Sequence, residues 1–159
     1  MGWMRGRWRG WRAERRPLAG LVIEAGESFS REVAFDAPGI AAFAAACGDT
    51  NPLHHDAAYA AASRFGGIIA SGTQVTSLLM AMVANYLSPR GPGVGLGFSF
   101  RLQAAVRAGE TVTMRWRIVG VVPKASLGGR VVRLEGEVVR GDGRVAVKAT
   151  GEALALDAA

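Results

Sequence analysis

The stretch SGTQVTSLLMAMVANYL at residues 71–87 is the longest helical segment that the sequence predicts. It opens with Ser71 and Gly72, which suit a helix N-terminus, and Pro89 marks its end. Apolar residues lie on every side of the segment: Val75, Leu78, Leu79, Met80, Met82, Val83, Tyr86 and Leu87. Because a helix without a polar stripe is normally buried, the pattern predicts a buried central helix.

Strand-like segments follow this helix to the end of the chain. The first alternates apolar residues with glycine or polar ones, which predicts a strand with one apolar face. Its apolar residues are Val94, Leu96, Phe98, Phe100 and Leu102. Three more strands are predicted at about 111–122, 130–140 and 144–156, and the last two are joined by the hairpin-type turn Gly-Asp-Gly.

The segments before the central helix are shorter. Residues 29–35 alternate modestly and predict a first strand, and Asp36 with Pro38 then caps an alanine-rich helix that ends near residue 47. Residues 48–53 combine Gly, Asp, Asn and Pro and predict a loop, which a short helix follows at about 55–63.

One buried helix and four or five long strands joined by short turns predict an antiparallel sheet curled around that helix, since each apolar surface then covers the other. This is an α+β arrangement of the hot-dog type, expected as one domain over residues 20–157. A single sheet around a single helix leaves a sheet edge uncovered, so we expect a homodimer.

Composition narrows the class of protein. The chain has 159 residues, 50% hydrophobic and 20% charged, which is typical of a globular domain with a core. One cysteine, Cys47, excludes an intrachain disulfide framework and favours a reducing, cytoplasmic location. The longest apolar run, at 75–87, falls short of the roughly 20 residues that cross a bilayer, so we expect no membrane span.

The net charge of +6 is concentrated in the first 16 residues, which hold six arginines and one glutamate. The remainder carries 13 basic and 12 acidic residues and is nearly neutral, so we expect no nucleic-acid partner. We interpret residues 1–19 as a basic, Trp- and Arg-rich disordered extension, with contact to phosphates or a membrane surface as the alternative, and leave its role open. The glycines at 91, 93, 95 and 97 lead into a strand rather than a helix, which argues against a nucleotide-binding loop.

The loop at 48–54 contains the residues suited to chemistry. Asp49 and His54 lie five residues apart across a proline, and a tight loop of this length can turn both toward one water molecule. Histidine exchanges protons near neutral pH, and such positioned transfer is worth roughly 10²- to 10⁴-fold in rate. The residue types alone leave two readings open, this one and an ordinary turn with a structural histidine. His55 and Asp56 fit a helix cap, and no third ligand has the spacing for zinc or iron.

The string FAAACGDTNPLH at 43–54, continued by Asp56, Tyr59 and Ala60, resembles the hydratase motif of (R)-specific enoyl-CoA hydratases and MaoC-like dehydratases. The similarity continues through 70–72, 97–100, 108–110 and 150–153 and covers roughly residues 20–156. Two positions depart from the family pattern. Ala46 stands where a larger aliphatic residue is usual, and Ser71 where many members carry histidine.

The resemblance implies reversible hydration of trans-2-enoyl thioesters to (R)-3-hydroxyacyl thioesters, with no cofactor and no metal. It implies that Asp49 and His54 bind and activate the water, and that the backbone N–H of Gly72 binds the thioester oxygen. A helix N-terminus suits that role, because hydration places negative charge on this oxygen. Asn51, Ser71 and Gly72 are the residues predicted to bind substrate, Asn51 by shaping the loop.

Two other functions remain open at this stage: a non-catalytic acyl-thioester-binding protein and an acyl-CoA thioesterase. The carrier of the acyl group, coenzyme A or acyl carrier protein, is also open. Arg64, Arg90 and Lys124 are candidates to meet phosphates, although scattered basic residues are usually solvated surface.

Overall fold

A computed structural model describes residues 22–156 of the chain. In chain order its elements are β1 (Ser28–Ala34), α1 (Ala37–Ala46), a 3₁₀ turn (Pro52–His54), α2 (Ala57–Ala62), α3 (Gly72–Leu87), β2 (Gly93–Leu102), β3 (Thr111–Lys124), a second 3₁₀ turn (Ala125–Leu127), β4 (Gly129–Arg140) and β5 (Val145–Leu156). The predicted order of elements is confirmed. The extension expected at residues 1–19 lies outside the described residues.

The five strands form one antiparallel sheet in the order β1-β3-β4-β5-β2, and α3 packs against one of its faces. Trp116 of β3 donates its indole N–H to the carbonyl oxygen of Leu79 in α3 at 2.8 Å, and both residues are buried. The expected α+β hot-dog arrangement, a sheet wrapped around a central helix, is confirmed. The helix is not buried all round, however: the side that faces away from the sheet is exposed and carries Thr73, Ser77, Met80, Ala81, Ala84 and Asn85. No helix within residues 22–156 is long and apolar enough to cross a membrane.

Two glycines let large rings lie flat against the sheet beneath α3. A Cβ on Gly136 would lie 2.5 Å from the ring of Trp116, and one on Gly151 would lie 2.6 Å from the ring of Phe98. These separations are about 1 Å below ordinary carbon contacts, so neither position accepts a side chain unless the ring moves. The glycines therefore set the depth at which the core supports α3.

The two ends of α3 are fixed by side chains. At its N-terminus the Ser71 hydroxyl accepts a hydrogen bond from the amide of Gln74 at 3.2 Å. At its C-terminus the Arg90 guanidinium lies 3.7 Å over the ring of Tyr86 and donates to the Tyr86 carbonyl at 2.7 Å, while the Tyr86 hydroxyl donates to Glu27. These contacts satisfy terminal backbone groups and fix the first and the last turn of α3, each at its own end.

The single apolar face predicted for β2 is partly wrong. Phe98 and Phe100 pack against the core as expected, but Val94 and Leu96 are 53% and 48% exposed. Leu102 keeps the predicted face and reaches Gly72, although it is 59% exposed at the end of the strand. The register slips between residues 95 and 97, and one extra residue sends the side chains before it to the opposite face. Because β2 is also an edge strand, this leaves apolar side chains along an unpaired edge.

Candidate active site

The loop that follows α1 is shaped by hydrogen bonds within itself. Gly48 adopts a positive φ of 73°, which turns the chain out of the helix, and the amide of Asp49 donates back to the carbonyl of Ala44 at 2.8 Å. The Asp49 carboxylate then accepts from the amide of Asn51 at 3.0 Å, and the Asn51 side chain accepts from the amide of Leu53 at 3.1 Å. The Asn51 side chain thus shapes the loop, as predicted.

His54 ends this loop in a buried position, with 6% of its surface exposed. Its Nδ1 lies 2.7 Å from the carbonyl oxygen of Ile69. Since a carbonyl only accepts, Nδ1 carries a proton, and in the neutral ring Nε2 keeps its lone pair. The amide of Ile69 in turn donates to the carbonyl of Leu53 at 3.2 Å, so one peptide residue supports the imidazole and the chain beside it.

The structure brings the side chains of Asp49 and His54 together. His54 Nε2 lies 3.6 Å from Asp49 Oδ2, and the Asp49 side chain is 31% exposed. This separation is longer than a direct hydrogen bond, and Nε2 presents an acceptor beside a carboxylate. A water molecule at this point has an acceptor on each side.

His55 has a role that the sequence did not reveal. Its Nε2 lies 2.6 Å from the backbone carbonyl oxygen of Asp49, so the ring donates a hydrogen bond to that carbonyl. Asp56, and not His55, caps α2, because its carboxylate accepts from the amide of Tyr59 at 2.9 Å. For this reason α2 begins at residue 57 rather than at 55. The two adjacent histidines therefore support the loop from two sides.

Gly72 is the first residue of α3, so its amide has no acceptor within the helix. Ser71, which is 2% exposed, spends its hydroxyl on the cap to Gln74 and on a contact of 2.9 Å with the Thr73 hydroxyl. The side chain of Ser71 therefore serves the helix, and its predicted contact with substrate stays a prediction. The cap takes the amide of Gln74, so the amides of Gly72 and Thr73 are the ones at this helix end that are available to a ligand.

A cavity of about 650 Å³ joins the loop to the start of α3. Asn51, His54 and Gly72 line it, whereas Asp49 and Ser71 are not among its lining residues. The rest of the lining is mainly apolar: Leu53, Phe65, Ile69, Ala70, Val75, Leu102, Ala104, Ala105, Val106 and Val147, with Arg64 and Gln103 as polar members. Three of the five predicted site residues thus share one cavity. Asp49 lies next to this cavity, because its carboxylate approaches the His54 ring that lines it.

Leu102 and Arg64 line this cavity from distant parts of the chain. Leu102 reaches Gly72 so closely that a Cβ on that glycine would lie 2.6 Å from Leu102 Cδ1. The sequence marked Arg64 as a candidate to meet phosphate and Leu102 as a strand residue, but it did not place either beside the loop, because both contacts depend on how β2 and the segment after α2 fold over it.

A second depression of about 660 Å³ lies on the outer face of the sheet, opposite α3. Charged side chains of neighbouring strands alternate there, and Arg115 pairs directly with Glu137. None of the predicted site residues lines it. Within residues 22–156 no three His, Cys, Asp or Glu side chains cluster closely enough to hold a metal ion.

Fold and site together define a hot-dog protein with an acid–imidazole pair beside the amino end of its central helix. The family model of the MaoC like domain matches residues 22–139. The chain therefore belongs to the MaoC-like domain family, as the resemblance in its sequence implied.

Several known proteins are similar to it. An (R)-specific enoyl-CoA hydratase from Rhodospirillum rubrum is 32% identical over 125 residues, covering 72% of this chain and 85% of that protein. Another from Aeromonas caviae is 33% identical over 96 residues, which are 60% of this chain and 71% of that one. Among solved structures, the unliganded R-hydratase PhaJ1 from Pseudomonas aeruginosa superimposes with a TM-score of 0.76 at 29% identity, covering 86% and 84% of the two chains.

Proposed function

We propose that this protein is a hydro-lyase that adds water reversibly to trans-2-enoyl thioesters and forms (R)-3-hydroxyacyl thioesters. The observation that carries the proposal is the 3.6 Å approach of His54 Nε2 to Asp49 Oδ2, with His54 and the N-terminal residue of α3 lining one cavity. Relatives named as (R)-specific enoyl-CoA hydratases and as a 3-hydroxybutyryl-CoA dehydratase support the same class of reaction.

The chemistry follows from this arrangement. A water held between Asp49 and His54 loses one proton to the pair as its oxygen bonds to the β-carbon of the enoyl thioester. The electron pair of the double bond moves toward the thioester carbonyl, whose oxygen becomes negative. The amide of Gly72 and the positive end of α3 stabilise that oxygen. The pair then returns its proton to the α-carbon, which completes the addition of water.

We also propose that a second copy of the chain pairs with the open edge of β2. This edge has unpaired backbone groups and exposes Val94, Leu96 and Leu102. An exposed apolar edge strand favours association with another strand. Leu102 also lines the cavity, so a partner on this edge would stand next to the site.

Leu96→Glu is expected to shift the protein from dimer to monomer in analytical ultracentrifugation. Val119→Glu, at a similarly exposed apolar residue of the inner strand β3, should leave the dimer intact.

Loss of the ultraviolet enoyl absorbance of crotonyl-CoA and of longer enoyl-CoA thioesters tests the reaction, with chiral analysis of the product. Asp49→Asn is expected to lower the rate by at least about 10²-fold. The new amide retains an oxygen that can accept from Asn51, so the melting temperature should stay near that of the parent protein. Asp56→Asn is the matched control, because asparagine also caps a helix well.

Folded protein without hydration at any chain length would refute the proposal. Binding of the thioester without turnover would then indicate the non-catalytic alternative, and release of free thiol from acyl-CoA would indicate a thioesterase. Full activity in both Asp49→Asn and His54→Ala would show that the reaction takes place elsewhere.

A further inference from the structure

The charge of the cavity beside His54 comes from one residue. Of its fifteen lining residues, Arg64 alone carries a permanent charge, and the remainder are apolar or neutral. An arginine on the wall of a mainly apolar cavity is a specific feature, because it offers planar paired donors to an anion. The cavity is therefore suited to a ligand that is apolar along most of its length and anionic at one point.

Arg64 is held in place but not neutralised. Its guanidinium lies 5.0 Å from the ring centroid of its neighbour Phe65. The amide of Phe65 donates to the Ser63 hydroxyl at 3.2 Å, and that hydroxyl donates to the Ala60 carbonyl at 2.6 Å, so the turn carrying Arg64 is ordered. Arg64 is exposed, and no carboxylate of residues 22–156 forms an ion pair with it.

The other two cations considered from the sequence differ from Arg64. Arg90 stacks on Tyr86 and donates to its carbonyl, so it serves the C-terminus of α3. Lys124 is exposed at the end of β3 and does not line the cavity. Of these three, Arg64 alone combines access to the cavity with a free charge.

We propose that Arg64 binds a phosphate of the carrier that presents the acyl thioester, and this inference rests on the proposed function. Both possible carriers contain such a group. Coenzyme A carries its phosphates beyond the pantetheine arm, and an acyl carrier protein holds the same arm through one phosphodiester. Arginine forms charge-assisted, bidentate hydrogen bonds with phosphate, and the stack on Phe65 orients the guanidinium for this contact.

Calorimetric titration with saturated thioesters tests this binding without turnover. The ligands are butyryl-CoA, butyryl-4′-phosphopantetheine and butyryl-pantetheine, which differ in phosphate content and share the acyl end. Arg64→Gln is expected to weaken binding of butyryl-CoA by about 10-fold, the effect typical of one hydrogen-bonded charge, and to leave butyryl-pantetheine unchanged. Arg64→Lys should bind butyryl-CoA more tightly than Arg64→Gln does and more weakly than the parent protein does. Lys124→Gln is the matched control for a general loss of positive charge and should bind like the parent protein.

The phosphorylated ligands identify the phosphate. If Arg64→Gln weakens the binding of both butyryl-CoA and butyryl-4′-phosphopantetheine, Arg64 contacts the phosphate that coenzyme A and carrier protein share. If it weakens the binding of butyryl-CoA alone, Arg64 contacts a phosphate that only coenzyme A has. Equal loss with all three ligands, or no loss with any, would overturn the inference. So would a parent protein that binds none of them. A protein that discriminates these ligands through Arg64 but does not hydrate crotonyl-CoA would refute the proposed function and leave the phosphate contact standing.

Discussion

Substitution of Gly72 by alanine separates the stability of the protein from its activity. The added Cβ would lie 2.6 Å from Leu102 Cδ1, and the three nearest atoms all belong to Leu102. Carbon atoms normally stay about 3.5–4.0 Å apart, so Leu102 must retreat by about 1 Å. Since Leu102 is 59% exposed, it can rotate at a cost of about 0.5–1.5 kcal/mol. Alanine is the better helix former and offsets part of this cost.

We therefore expect Gly72→Ala to change the free energy of unfolding by less than about 1 kcal/mol, the balance of these two terms. Its effect on hydration should be much larger. The Cβ and the displaced Leu102 side chain move the thioester oxygen by about 1 Å from the amide at position 72, and a displacement of that size is worth about 10²-fold in rate. Thermal melts and kcat/KM with crotonyl-CoA measure the two quantities.

The double variant that combines Gly72→Ala with Leu102→Ala provides the control. Leu102→Ala removes the side chain that the new Cβ meets. The double variant should therefore regain at least about 10-fold of the activity lost by Gly72→Ala, as expected for residues in direct contact. Parent-like activity of Gly72→Ala would refute the need for close approach at this amide. A double variant no more active than the single one would show that Leu102 does not transmit the effect.

Three further outcomes follow from individual contacts. His55→Leu removes the hydrogen bond to the Asp49 carbonyl and is expected to lower kcat about 10-fold with KM nearly unchanged. His55→Gln keeps a donor and should recover part of this loss. Equal rates in the two variants would contradict a positioning role for His55. Gln74→Met should raise the unfolding free energy by about 1 kcal/mol in urea titrations, because the buried Oε1 of Gln74 has no hydrogen-bond partner among residues 22–156. A lower value would show that this oxygen is satisfied. Burial, and secondly a hydrogen bond to a carboxylate, raise the pKa of Tyr86 to about 12, so Tyr59→Phe should show one tyrosinate transition near that pH. Because the folded state favours the protonated phenol, the protein should lose stability between pH 10 and about 12, and a transition near 10 would contradict this reasoning.

The sequence was most informative where function depends on neighbours along the chain. Asp49, Asn51 and His54 lie within six residues, and the turn chemistry of Gly, Asp, Asn and Pro brings them together locally. The central helix followed from its apolar pattern, but the pattern overstated its burial, because Met80 is 39% exposed on the side away from the sheet. The hot-dog arrangement then followed from the lack of any other cover for that helix and for the strands.

What the sequence could not supply depends on distant contacts or on single irregular residues. The slip in β2 was hidden, because Val94 to Leu102 alternate regularly in the sequence while one residue between 95 and 97 falls out of register. The contact of Leu102 with residue 72 spans thirty positions, and no local pattern reports it. His55 looked like a cap residue because a histidine beside Asp56 can either cap α2 or bond to the preceding loop. Only the direction of its ring, toward the Asp49 carbonyl, distinguishes the two roles.

The backbone amide and carbonyl of Ile69 link two segments that border the cavity. Its amide is bonded to Leu53 and its carbonyl to the His54 ring, so this residue joins the segment that carries Arg64 to the loop that carries Asp49 and His54. A ligand that shifts Ile69 therefore disturbs the hydrogen bond to the imidazole as well. The exchange of the Ile69 amide proton with solvent, followed by NMR, would therefore report occupancy of the cavity that Ile69 lines.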